Sequence, residues 1–302
     1  MNTRLIRFAA ADGVLLPGLL YQPRKQTREA AIFLHGNGDS SIFYSAERTN
    51  AFAEEMVRRG IAFFPFNNRG AGLIKTLKRR TRTIRRTVTA GMTYEKIRDC
   101  VADIEGAIAC LRHEGYRRIH LIGHSTGANK ICHYNRRRRR NPVGKCILLA
   151  PGDDVGIYYD QLGPRRFHPA LERGRVMVKK GEGHRLAPAS LSPFPISWTS
   201  LLDTIDPDGD YNVFPFLDAM RGLGLSKRPL FRDYRLLKKP TLSLFGANDE
   251  FCFGDVPRCV DLLRAHAAVP RRFEGVVLPD ANHGFGGHER EAGAIMAEFL
   301  RG

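Results

Sequence analysis

Three side chains in this sequence have the types and the chain order for nucleophilic acyl chemistry. Ser125 lies in Gly123-His124-Ser125-Thr126-Gly127, between an apolar run, Ile119–Ile122, and a helix-compatible run that begins at Ala128. Glycines at those offsets let the backbone turn sharply, so the serine projects from a strand end. The amides of the following helix start aim partial positive charge at the same place. A hydroxyl is a poor nucleophile without a base. His283, in Pro279-Asp280-Ala281-Asn282-His283-Gly284-Phe285, occupies a polar loop between the apolar run Val276–Leu278 and the last helical pattern, with His288 as the rival. The imidazole in turn needs an acid to hold its tautomer and stabilise the imidazolium. Asp249 follows the run Thr241–Phe245 directly, and Glu250 and Asp255 are the alternatives. The bland readings are a serine in a glycine turn, a helix-start histidine and a turn-capping aspartate.

Such chemistry also needs two backbone donors where an oxyanion develops. The N–H of Thr126, the residue after the serine, is one. His35-Gly36-Asn37-Gly38, after the run Ala30–Leu34, supplies the other through the N–H of Asn37. No CxxC pair or histidine-cysteine spacing suggests a metal, and the reaction requires neither metal nor organic cofactor.

These residues require a sheet that presents strand ends on one edge. Short apolar runs at 30–34, 61–66, 118–122, 146–149, 241–245 and 276–278 suit strands buried on both faces of a parallel sheet. Between them, Ile97, Val101, Ile104, Ile108 and Leu111 predict a helix over 94–114, and helices are expected at 256–268 and 289–300. Leu5–Phe8 and Leu15–Tyr21 flank Asp12-Gly13 as a hairpin. The expected fold is α/β: a mostly parallel central sheet flanked by helices, with a core from 1–152 and 236–302. Residues 153–235 are rich in Pro and Gly without clean periodicity, too long for a structureless loop, and are expected to form an inserted cap. Its aromatics Tyr158, Tyr159 and Trp198 are candidate pocket-lining residues, together with Phe167, Tyr211 and Phe214.

The chain has 302 residues, 43% of them hydrophobic, which supports a packed core rather than disorder. No stretch of 18 apolar residues suggests a transmembrane helix, and the N-terminus lacks a signal-like apolar region. Six cysteines inside apolar patterns read as buried free thiols, so a cytoplasmic location is expected. The formal charge is +17, from 48 Lys+Arg against 31 Asp+Glu. Two tracts concentrate it: Lys75, Lys78, Arg79, Arg80, Arg82, Arg85 and Arg86, and then Arg136 to Arg140. One reading is an electropositive rim that attracts anionic esters, nucleic acid or acidic lipid, the first tract overhanging the pocket. The other is solvated surface, with arginines suited to a helix C-terminus in the second tract. No aromatic-interleaved RNA motif appears, so no specific nucleic-acid partner is expected.

The order Ser125, Asp249, His283 around a G-x-S-x-G turn resembles the α/β-hydrolase superfamily over the whole chain except the cap. More narrowly, Gly123-His124-Ser125-Thr126-Gly127-Ala128-Asn129-Lys130, Asn67-Asn68-Arg69-Gly70, Tyr94-Glu95-Lys96-Ile97-Arg98-Asp99-Cys100 and Leu149-Ala150-Pro151-Gly152-Asp153 resemble the fungal fusarinine C esterases and their bacterial relatives. That resemblance implies a serine esterase acting on ester bonds of hydroxamate siderophores, its triad carried by Ser125, Asp249 and His283. An acyltransferase, thioesterase or amidase would use the same residues. A reading of another class is a non-catalytic scaffold that binds nucleic acid or anionic membrane through the basic tracts.

Overall fold

The computed structural model describes residues 1–38, 42–80 and 85–302, and of Arg85 the backbone alone. Arg82, from the first basic tract, lies outside the described residues. The strands are β1 (Asn2–Ala9), β2 (Leu15–Gln22), β3 (Glu29–Leu34), β4 (Ala62–Phe66), β5 (Lys75–Arg80), β6 (Arg85–Ala90), β7 (Arg118–His124), β8 (Val143–Leu149), β9 (Thr241–Asn248) and β10 (Phe273–Asn282). Eight of them form one sheet in the order β1-β2-β4-β3-β7-β8-β9-β10. The pairs β1/β2 and β2/β4 are antiparallel, and the pairs from β4 through β10 are parallel. All six apolar runs noted in the sequence are strands of this sheet.

The strands are apolar on both faces because both faces are covered. In β3, Ala30, Ile32 and Leu34 point into one core cluster and Ala31 and Phe33 into the other, the two-residue alternation of a pleated strand. On the first face lie α2 (Cys100–His113), α3 (Thr126–Arg137) and α8 (Val256–His266); on the second lie α1 (Ala46–Arg58) and α9 (Glu289–Arg301). Helix α1 carries no sequence expectation. Phe52, Ala53 and Met56 form its narrow buried apolar stripe among charged residues. Helix α2 starts later than the expected 94–114, after two 3₁₀ turns. There the Ile97 N–H is taken by the Asp203 carboxylate at 2.8 Å, a partner 106 residues away.

Residues 153–235 hold four α-helices: α4 (Asp154–Leu162), α5 (Pro164–Lys179), α6 (Trp198–Ile205) and α7 (Phe216–Arg221). The stretch is divided by its packing. Val155 through Ile205 supply a separate apolar cluster around Phe167, Leu201 and Ile205. Tyr211, Val213, Phe214, Phe216, Phe231 and Tyr234 instead join the main core. The described residues of the first basic tract lie on the antiparallel pair β5–β6, with Leu77 opposite Val88 and packed against the main core. The pair docks on the β1–β2 turn: Arg80 N donates to Gly13 O at 2.7 Å and Arg79 Nε to Asp12 O at 2.8 Å. Gly13 has φ +89°, and a Cβ there would stand 2.2 Å from Arg80 O, so the docking requires glycine. Among the described residues no helix is long and apolar enough to cross a membrane.

Candidate active site

Ser125 joins β7 to α3 with φ 54° and ψ −126°, a conformation that L-residues avoid. The joint is held from both sides. Ser125 N donates to Leu149 O on β8 at 2.9 Å, and Ser125 O accepts from Ala128 N at 2.9 Å. A Cβ at Gly123 would stand 2.3 Å from Gly127 O, and one at Gly127 2.2 Å from Leu34 O. The glycines flanking the serine are therefore required by packing of the elbow against itself and against β3.

His283 and Asp249 leave the ends of the parallel neighbours β10 and β9, which brings them together although 34 residues separate them. His283 Nδ1 is 2.9 Å and 3.0 Å from the two Asp249 carboxylate oxygens. Asp249 is buried, and its Oδ1 also accepts from Phe251 N at 3.0 Å. The Phe251 ring meets the His283 ring edge to face, with centroids 4.7 Å apart. The rivals are placed elsewhere. Glu250 accepts the His283 backbone N–H at 3.0 Å, Asp255 caps α8 through Arg258 N, and His288 stands at the N-terminal boundary of α9 without a side-chain capping bond, 3.6 Å from Glu291. Ser125 and His283 line one pocket of about 580 Å³. Among the described residues no hydrogen bond joins them, and in ligand-free sites such bonds are commonly long until substrate binds.

Two buried histidines that the sequence reading did not assign hold this arrangement. His124 Nε2 is 2.9 Å from His283 O, so its Nε2–H donates there and the residue before Ser125 clamps the loop of His283. His35 Nδ1 donates to Gly36 O at 2.9 Å, and His35 Nε2 accepts from Asn68 N at 3.1 Å. Burial holds both imidazoles well below their usual pKa, so they stay neutral, as these bonds require. Through His35 the loop of Asn37 is tied to the end of β4. Asn37 and Thr126, the expected oxyanion donors, both line the pocket with Ser125. A Cβ at Gly36 would stand 3.0 Å from Ser125 Cβ, so the approach of this loop to the serine depends on a small residue.

Beneath the elbow lies a buried ion pair, Lys130 Nζ to Glu95 Oε1 at 2.6 Å, both side chains shielded from solvent. Gly70 leaves room for it: a Cβ there would meet the Glu95 carboxyl at 2.2 Å. Arg69 binds Asp103 at 2.6 Å and Asp12 at 3.1 Å. The Asn67-Asn68-Arg69-Gly70 segment is thus pinned from three directions. Polar residues inside an apolar context were its signal in the sequence; their partners were not readable there.

Of the three cap aromatics expected at the site, Tyr158 lines the pocket. Tyr159 and Trp198 do not. Consecutive helical residues point about 100° apart, and Tyr159 turns onto Phe167 at 5.2 Å while Trp198 is buried in the cap cluster. Phe167, Tyr211 and Phe214 are core as well. The first basic tract was expected to overhang the pocket; its described residues line none of it, and the pair β5–β6 is bound to the β1–β2 turn. In the second tract Arg136 and Arg137 pair with Asp210, and Arg138 pairs with Glu105. Those arginines have structural partners. All six cysteines are free thiols, and among the described residues no three His, Cys, Asp or Glu are grouped to hold a metal.

Solved structures share the architecture. Est1E from Butyrivibrio proteoclasticus with ferulic acid bound is 14% identical, with TM-score 0.66 and 97% of each chain covered. The alpha/beta hydrolase GrgF from Penicillium sp. is 17% identical, with TM-score 0.62, covering 100% of this chain and 98% of that one. The Pyrococcus furiosus esterase Pf2001 is 17% identical, with TM-score 0.60, covering 99% of this chain and 90% of that one. No curated protein sequence matches. At such identities the likeness establishes the fold. The sequence itself matches the alpha/beta hydrolase family model over residues 31–298, the span that carries the elbow, the Asp249–His283 pair and the loop of Asn37, and the chain belongs to that family.

Proposed function

We propose that the protein is a serine carboxylic-ester hydrolase that works through an acyl-enzyme. The observation that carries this reading is the buried Asp249 carboxylate on His283 Nδ1, in the same pocket as a serine held at positive φ. Ser125 Oγ attacks the ester carbonyl, and its proton passes to His283 Nε2. Asp249 keeps the Nδ1–H tautomer and stabilises the imidazolium. The N–H groups of Asn37 and Thr126 take the oxyanion, aided by the N-terminal dipole of α3. Collapse of the tetrahedral intermediate breaks the ester C–O bond, and His283 returns the proton to the departing alcohol. Water, deprotonated by His283, then attacks the acyl-serine and releases the acid and Ser125. No step calls on a metal or organic cofactor.

Esterases among the structural neighbours favour an ester over an amide or thioester as the first substrate class to test. The likeness to siderophore esterases in the elbow and the Asn67–Gly70 segment makes hydroxamate siderophore esters the next. The test is release of 4-nitrophenol from short-chain 4-nitrophenyl esters by wild type and by Ser125→Ala. Turnover should fall by roughly six orders of magnitude in the variant. Equal activity of the two proteins would remove Ser125 from the mechanism. Amide, thioester and acyl-acceptor assays of the same pair separate the other transfer reactions.

A further inference from the structure

One charged side chain in the pocket has no ion-pair partner among the described residues and no mechanistic task. Arg48, in the first turns of α1, reaches the pocket that holds Ser125 and His283, and is the only lysine or arginine among the described residues lining it. Its Nε is buried with no hydrogen-bond partner. Its Nη1 has two neighbours, Gly284 O at 3.4 Å and His124 Nε2 at 3.5 Å. The second is no acceptor, because that nitrogen carries the proton given to His283 O. Among the described residues, a guanidinium with five N–H donors is therefore left with one long bond to a neutral carbonyl. No described carboxylate lies within ion-pair distance of it. Burial pulls its pKa down to about 10 against the opposing pull of the Glu289 carboxylate, still far above neutrality, so the cation persists.

Leaving a half-buried guanidinium without an ion-pair partner costs free energy that a bound anion would recover. The two acids on the same pocket do not recover it: Glu250 is turned to the His283 N–H, and Asp154 sits on the cap wall. We infer that Arg48 is a substrate-recognition residue, and that the esters cleaved in this pocket carry a carboxylate which its planar fork binds. A single guanidinium matches one negative charge on a planar anion, whereas a phosphate monoester carries nearly two. This inference rests on the ester-hydrolase reading and adds the substrate class to it.

The test is the ratio of kcat/KM for anionic over neutral esters in wild type, Arg48→Met and Arg48→Lys. One arm puts the charge on the acyl side, 4-nitrophenyl hydrogen glutarate against 4-nitrophenyl 5-methylhexanoate. The other puts it on the alcohol side, 3-carboxyphenyl butyrate against phenyl butyrate. Differences in intrinsic ester reactivity cancel when the ratio is compared between proteins. In one arm the ratio should fall ~10- to 100-fold in Arg48→Met, the range for a charge-assisted bond, and recover in part in Arg48→Lys. The responding arm identifies the side that bears the carboxylate. An unchanged ratio in both arms, with hydrolysis still dependent on Ser125, overturns the inference and leaves the hydrolase reading intact. Equal loss on both members of each pair also overturns it, since Arg48 then only props Gly284. If wild type cleaves none of the four esters, calorimetric titration of glutarate and benzoate into Ser125→Ala, with and without Arg48→Met, decides: affinity lost with Arg48→Met supports the binding role, and affinity independent of Arg48 refutes it.

Discussion

His124 Nε2 lies 2.9 Å from the backbone carbonyl oxygen of His283, so the residue before the elbow serine grips the loop that carries the imidazole. The two sit on β7 and after β10, 159 residues apart. The bond ties the elbow directly to the loop that carries the imidazole. His124→Ala would leave the carbonyl without its donor, at a cost of about 1–3 kcal/mol. It should lower kcat/KM by ~10-fold or more, because reacting groups misplaced by an ångström lose rate steeply. His124→Gln, whose amide can donate, should recover part of the loss. Kinetics and Tm on the three proteins check this; an alanine variant with wild-type kcat/KM would make the clamp dispensable.

Asp249 and Glu250 are adjacent acids that touch the same histidine at different atoms. Asp249→Asn should reduce kcat by roughly four orders of magnitude, since an amide favours the wrong tautomer. Glu250→Gln should cost far less, because its carbonyl oxygen still accepts the His283 N–H. Steady-state kinetics on one ester distinguishes the pair, and comparable losses would show that Glu250 shares the orienting role.

The buried Lys130–Glu95 pair predicts an asymmetric double-mutant cycle. Glu95→Ala leaves a buried ammonium without its partner and should destabilise by about 3–5 kcal/mol, while Glu95→Met with Lys130→Met should cost much less than the sum of the single changes. Urea unfolding midpoints measure it. Additive effects would mean that the two charges do not depend on each other.

Burial raises the Asp153 carboxyl to about 7 from 3.8, although Gly156 N and Leu217 N both donate to it at 2.8 Å. Its folded pKa exceeds its unfolded pKa, so the folded state binds the proton more tightly. The stability it contributes is complete below about pH 4 and is lost as pH rises toward 7, a change of up to about 4 kcal/mol. Asp153→Asn should flatten the fall in urea midpoint between pH 4 and pH 8, whatever it does to the absolute level. A variant curve parallel to wild type would show that Asp153 does not titrate in this window.

Ser125 was legible in the sequence because its requirement is local. A sharp strand-to-helix turn needs glycine two residues to either side, and Gly123 and Gly127 have no room for a Cβ. The strands were legible for a similar reason, since burial on both faces writes a continuous apolar run. Asp249 and His283 followed from chain order and from polar residues placed just after such runs; their 2.9 Å contact required β9 and β10 to lie side by side. Helix α1 was not legible, because Phe52, Ala53 and Met56 make a thin stripe in a charged segment, and only the sheet they cover shows it to be sufficient.

What the sequence determined alone is therefore the set of local geometries: the elbow, the apolar strands, the loop of small residues at Gly36-Asn37-Gly38, and the family. What only the tertiary structure decided is which polar groups find partners. Arginines 136–138 read as a free basic tract until the fold set Asp210 and Glu105 against them. Tyr158 and Tyr159 are neighbours in sequence, yet one meets the pocket and the other the cap core. Arg48 resembles any exposed helical arginine in the sequence, and the fold leaves it half-buried on the pocket of Ser125 without an ion-pair partner among the described residues. Electrostatic pairing depends on distances between segments far apart in the chain, and those distances exist only once the sheet has assembled.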